Sequence, residues 1–161
     1  MTRHPSLLIS VAASALLAVA CGGSSSNGAA GAPAATPTPQ PVVKTATATV
    51  AGTSETVLVG ENGMTLYYYA PDKGTGEATC TGQCLLNWPP LLLPTGVTKP
   101  TGERGVTGIL GTVPSTAGGM QVTYNSWPLY FFVKDKVPGD TTGQNVGGKW
   151  FVVPPDVARG T

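Results

Sequence analysis

Histidine is almost missing from this chain. The single copy, His4, lies in the first few residues, inside a segment that reads as an export signal. Once that segment is removed no imidazole remains. This excludes Ser-His-Asp and Cys-His nucleophile arrangements, His-bearing zinc sites and haem attachment through CxxCH. Charge is scarce too, with nine Lys and Arg against eight Asp and Glu. Loss of Arg3 with the signal brings the basic residues to eight, equal to the acids. No basic stripe is left for nucleic acid, and none is expected as a partner. Three cysteines are too few for an all-thiolate zinc site. Sustained helical periodicity with caps is also absent, so no long helix is expected.

What is present begins with an address. Arg3 and His4 precede an apolar run from Leu7 to Ala20 that ends in small residues at Cys21. The run is short for a membrane span and fits a cleaved signal. Small residues ahead of a Cys predict a lipoprotein site, with Cys21 lipidated and the membrane as partner through that lipid. Each buried CH2 of an acyl chain contributes ~0.8 kcal/mol, and two or three chains hold a small protein on a bilayer. The stretch that follows, GGSSSNGAAGAPAATPTPQP, lacks the apolar bulk for a core and reads as a tether. The expected organisation is a signal at 1–20, a lipidated Cys with disordered tether at 21–44, and a single β domain at 45–161. The expected location is the bacterial cell envelope, facing the extracytoplasmic side.

The folded part carries one unit twice. NGMTLYYYAPDK (Asn62 to Lys73) and NSWPLYFFVKDK (Asn125 to Lys136) align without a gap at an offset of 63 residues. Such internal similarity marks duplicated supersecondary structure. Repeat 1 spans about 55–94, a connecting loop about 95–105, and repeat 2 about 106–155. Short apolar or aromatic runs between Gly, Pro, Asn and Asp clusters predict an all-β fold. Thr56 to Val59 and Met64 to Ala70 read as a hairpin around Gly60-Glu61-Asn62-Gly63. Met120 to Tyr124 and Trp127 to Val133 read as its counterpart around Asn125-Ser126. Phe151 to Val153 reads as a late strand, Val106 to Val113 as a weaker one, and Leu91 to Leu93 as a strand or buried loop. Leu66, Tyr68 and Ala70 share one strand face, and Tyr67 and Tyr69 the other. Both faces are apolar or amphipathic, which predicts strands covered on both sides. The fold expected is a small antiparallel sandwich or open barrel of two tandem repeats related by a pseudo-twofold.

Three sets of residues are candidates for a site. Cys80 and Cys84 form an even pair in an oxidising setting, which favours a disulfide. The alternatives are a redox pair, or a Cu(I) site completed by Met64 or Met120. Asp72 and Asp135 follow strand ends. They fit a structural turn whose carboxylate accepts backbone N–H groups or a Tyr hydroxyl, or a cation site with Glu77 or Asp140. The aromatics fit a core, with Trp88 and Trp127 as the contact candidates if a ligand platform exists.

These motifs resemble the bacterial secreted lipoprotein repeat family. Each unit carries Tyr-x4-Asp with an aromatic between: Tyr67, Tyr69, Asp72, then Tyr130, Phe132, Asp135. Cys80, Gly82 and Cys84 run on to Trp88, Pro89 and Pro90, and Pro138, Gly139, Asp140, Gly143 and Gln144 run on to Trp150. The resemblance implies no established activity. The function expected is that of a lipid-anchored β module, binding or envelope-structural, with an unidentified protein or small-molecule ligand. No cofactor, metal or catalytic residue is assigned. The alternative is a redox or copper-handling lipoprotein using Cys80 and Cys84.

Overall fold

The computed structural model describes residues 41–73 and 75–160. The expected signal and most of the expected tether lie outside the described residues. Strand structure is already present before the expected domain boundary at 45, because β1 covers Val43–Val50 and both Val42 and Val43 are buried. Sequence reading misses this strand because VKTATATV carries mostly Thr and Ala. Ala46, Ala48 and Val50 nevertheless alternate toward one core cluster. A two-residue turn at Ala51-Gly52, both with positive φ, returns the chain into β2 (Thr53–Gly60). β1 and β2 pair antiparallel over their full length.

The predicted reversal after Gly60 is present, closed by Gly60 N–H to Met64 O at 2.9 Å. The hairpin beyond it is shorter than expected. Thr65 bridges Val59, Leu66 donates to Leu58, and then β3 (Tyr67–Tyr69) leaves to pair with β7 (Trp150–Val152). In the second unit β4 (Leu110–Pro114), β5 (Met120–Tyr124) and β6 (Trp127–Pro128) form a three-stranded antiparallel sheet, with Asn125 and Ser126 at positive φ in the tight turn. The described residues are thus nearly all-β, with seven strands in three small sheets and no closed barrel among them. Among these residues one short α-helix and two single 3-10 turns, Ala70–Asp72 and Val146–Gly148, interrupt the strands. α1 (Gln83–Asn87) starts at the disulfide and escapes a periodicity search, which needs more than one turn.

The duplication is interlocked. The closing segment of each unit leaves its own unit and pairs with the other. Leu58 N–H donates to Val153 O at 2.8 Å, Val153 to Leu66 at 3.0 Å, and Leu66 to Leu58 at 3.0 Å, a triangle of backbone bonds that uses repeat 2 to finish repeat 1. The reciprocal triangle joins Val122 to Leu91 at 2.8 Å, Leu91 to Leu129 at 2.9 Å and Leu129 to Val122 at 3.0 Å. At the centre Tyr67 and Tyr130 exchange backbone bonds of 2.8 and 2.9 Å, a two-residue bridge about the pseudo-twofold.

The strand faces divide as alternation requires. Tyr67, Tyr69, Tyr130 and Phe132 pack in one cluster with Trp88 and Trp150. Leu66, Tyr68, Leu129 and Phe131 pack in the second with Leu58, Val122 and Val153. Both faces are therefore covered, as the two apolar faces of each strand demand.

Candidate functional site

The repeated Tyr-x4-Asp residues meet across the two units. Tyr67 donates its hydroxyl to Asp135 Oδ2 at 2.7 Å, and Tyr130 donates to Asp72 Oδ2 at 2.8 Å. The other oxygen of each carboxylate is held locally. Asp72 Oδ1 accepts the backbone N–H of Thr79 at 2.9 Å and its hydroxyl, and Asp135 Oδ1 accepts the N–H of Thr142 at 3.0 Å and its hydroxyl. Thr79 and Thr142 stand 63 residues apart, like the motifs themselves. They are site residues that the motif search passed over. The signal for them was the same offset, carried seven residues past each Asp.

All three partners of each carboxylate are neutral, and both acids are buried. Burial raises the Asp72 carboxyl above its usual range, against the lowering pull of its bonds to Thr79 and Tyr130. Burial also drives the phenols of Tyr67 and Tyr130 far above the ordinary tyrosine value, and the acid each one faces adds to the effect. Gly143 N–H also reaches the Tyr67 oxygen, at 3.2 Å. The Cys80 backbone pulls the Tyr130 phenol down, a smaller effect than its burial.

Asp72 and Asp135 are turn-anchoring carboxylates that accept backbone N–H groups and a tyrosine hydroxyl. Asp140 is occupied elsewhere, its Oδ2 accepting Lys136 N–H at 2.7 Å and Val137 N–H at 3.0 Å. Among the described residues no group of three or more acids, His or Cys is placed to hold a metal ion.

The aromatic rings beside these pairs form a ladder. Tyr69 stacks on Trp150 at 4.3 Å, Trp150 on Trp88 at 3.8 Å and 2° between planes, and Trp88 on Phe132 at 4.1 Å. Tyr67 meets Trp88 edge-on at 5.4 Å, and Tyr130 meets Trp150 edge-on at 5.1 Å. The ladder obeys the same pseudo-twofold, since Tyr69 and Phe132 are equivalent positions.

Trp88 and Trp127, the candidates for an exposed contact surface, are 5% and 6% exposed. Neither offers a free ring. Trp88 lies inside the ladder. Trp127 is covered by the C-terminal residues, its Nε1 donating to Ala158 O at 2.9 Å while Gly160 lies against its ring.

Cys80 and Cys84 are joined by a disulfide with Cα atoms 5.5 Å apart. Gly82 inside the small loop takes a positive φ of 55°, a conformation that costs Gly little and other residues more. The equivalent loop of repeat 2 reaches the same Tyr–Asp geometry through Gly143 and Gln144 without a covalent link. A shallow open cavity of about 270 Å³ lies elsewhere, over β4 and β5, lined by Ile109, Thr112, Val113, Thr123 and Ser126 among others.

Comparison with known families fits this architecture. A family model described as a secreted repeat of unknown function, Lipoprotein_15, matches residues 48–92 and 111–154. The two matches cover more than half of the chain, which belongs to that family. No curated protein and no solved structure matches it. The family places the chain among secreted proteins of the extracellular or envelope space. Among the described residues no helix is long and apolar enough to cross a membrane.

Proposed function

We propose that this protein is a lipid-anchored extracytoplasmic module whose role is binding or envelope architecture. The observation that carries the binding half is the closure of the interior. Both motif acids are buried and bonded, and four of the large aromatics stack on one another. What remains for a partner is surface, chiefly the hydroxyl-bearing and apolar groups around the cavity over β4 and β5. The anchor half rests on the apolar leader, Cys21 and the polar stretch after it. The disulfide bears on the copper alternative, since Cys80 and Cys84 bonded to each other present no thiolate to a metal.

Metabolic labelling with an alkyne fatty acid tests the anchor. Label should attach to the wild type and vanish in Cys21→Ser, which should move to the soluble fraction or keep its leader. Unlabelled wild type, or a Cys21→Ser protein that is cleaved and still membrane-bound, contradicts the reading.

A further inference from the structure

We propose that the aromatic ladder and its two Tyr–Asp pairs form a proton-coupled one-electron donor site, which takes oxidising equivalents from diffusible one-electron oxidants of the azidyl or carbonate-radical class. The inference does not depend on the anchor or on a binding partner.

Aromatic side chains in cores prefer offset or edge-to-face contacts, with centroids about 4.5–7 Å apart. Trp88 and Trp150 lie parallel with centroids only 3.8 Å apart, and one further ring continues the stack on each side. The Trp88–Trp150 contact lies across the pseudo-twofold, which relates Tyr69 on Trp150 to Phe132 on Trp88. Indole and phenol are the most readily oxidised of the common aromatic side chains, and rings in van der Waals contact share the electronic overlap that electron transfer needs. One end of the ladder, Tyr69, is partly exposed and gives an oxidant its point of entry. Behind the indoles stand two phenols, each already bonded through its O–H to a carboxylate. Loss of an electron makes a phenol strongly acidic, so a fixed proton acceptor lets it be oxidised without forming a charged radical.

The oxidant takes one electron through Tyr69 from the Trp88–Trp150 pair and becomes its reduced anion, leaving an indole radical cation. Tyr67 passes one electron to Trp88. In the same step its O–H bond breaks and the proton forms an O–H bond with Asp135 Oδ2. Trp88 returns to neutral, Tyr67 becomes a neutral phenoxyl radical, and Asp135 becomes a neutral acid. Tyr130, Trp150 and Asp72 offer the symmetric route. The positive hole and the buried negative charge cancel, so no net charge is left in the core. An ascorbate- or thiol-class reductant returns the electron, and the proton goes back to the phenol. The neutral partners of both carboxylates fit this role, because a salt-bridged acid would be a poor proton acceptor.

Pulse radiolysis with azide tests the site on the exported, disulfide-intact protein. Indolyl absorption should decay into phenoxyl absorption with first-order kinetics, independent of protein concentration and of buffer base, and more slowly in D2O. The double variant Tyr67→Phe with Tyr130→Phe should lose this prompt phenoxyl yield, while Tyr124→Phe should keep it. Near-UV circular dichroism reports whether the double variant folds. Should it not fold, the wild-type buffer and isotope dependence decides alone. A phenoxyl signal that needs buffer base, that is second order in protein, or that persists in a folded double variant overturns the proposal.

Discussion

Tyr67 gives its hydroxyl proton bond to Asp135, not to Asp72, the acid of its own motif. Tyr130 returns the arrangement with Asp72. The repeated motif is therefore not a unit that closes on itself. It is half of a reciprocal contact, and each half is completed by the other copy.

The buried phenols predict a specific alkaline behaviour. Tyr67 and Tyr130 have folded-state values raised above those of the unfolded chain. The folded state therefore holds their protons where the unfolded state has lost them. Their contribution to stability is complete below the unfolded tyrosine value of about 10 and is lost as pH rises beyond it. Phenolate absorption should show Tyr67 and Tyr130 un-ionised until the protein unfolds. Smooth ionisation of all five tyrosines with near-UV dichroism intact would contradict this.

Asp72 predicts the opposite end of the scale. Its folded value is raised, mainly by burial. The folded state thus binds its proton more readily than the unfolded one. Taken alone, Asp72 lowers stability as pH rises from the unfolded carboxyl value of about 3.9 through its own raised value. Chemical denaturation of Asp72→Asn across that window should lack the component that the wild type shows. Identical pH profiles for the two proteins would show that burial of the carboxyl has no such cost.

Gly143 predicts a packing limit. A Cβ there would lie 2.7 Å from the Tyr67 ring and 2.9 Å from Trp88. Gly143→Ala should destabilise the protein by about 1–3 kcal/mol through overpacking, measured by chemical denaturation. Gly139→Ala is a contrasting case, since no atom crowds that position and its cost comes from the positive φ of 92°. A neutral Gly143→Ala would mean that the Tyr67–Trp88 contact is looser than described.

The disulfide predicts a small effect. A loop this short gains roughly 2 kcal/mol from chain entropy. Repeat 2 shows that the same Tyr–Asp contact stands without a covalent link. Cys80→Ser with Cys84→Ser should therefore cost about that much and leave the alkaline tyrosine behaviour of Tyr130 unchanged. Thiol titration of the unfolded, unreduced domain should find neither cysteine free. Global unfolding of the double variant, or two free thiols in the exported protein, contradicts this account.

The sequence carried the repeat, the all-β class, the turn at Asn125-Ser126 and the two-faced strands, because each is written in local pattern and spacing. It also carried the equivalence of Asp72 and Asp135, since the alignment there has no gap. It did not carry the exchange of closing segments. Nothing in Leu91 or Val153 states which Leu it will bond, because that choice is made by closure of the whole core. β1 was hidden for a different reason: Ala and Thr supply enough small apolar surface to pack beside Val57 and Val59, yet in composition they resemble the Ala-, Thr- and Pro-rich sequence before them. The burial of Trp127 was equally invisible, since its cover comes from the chain end through Ala158 and Gly160.

The reciprocal contact is tested most directly by double-mutant cycles in chemical denaturation. Tyr67→Phe leaves a buried carboxylate oxygen without its donor and should cost about 1–3 kcal/mol. Combined with Asp135→Asn it should show a coupling of about 0.5–3 kcal/mol, the range for residues in one bonded network. Combined with Asp72→Asn, its own motif's acid, it should be additive within about 0.5 kcal/mol. The account predicts coupling across the repeats and additivity within each motif. Coupling between Tyr67 and Asp72 with none between Tyr67 and Asp135 would contradict it.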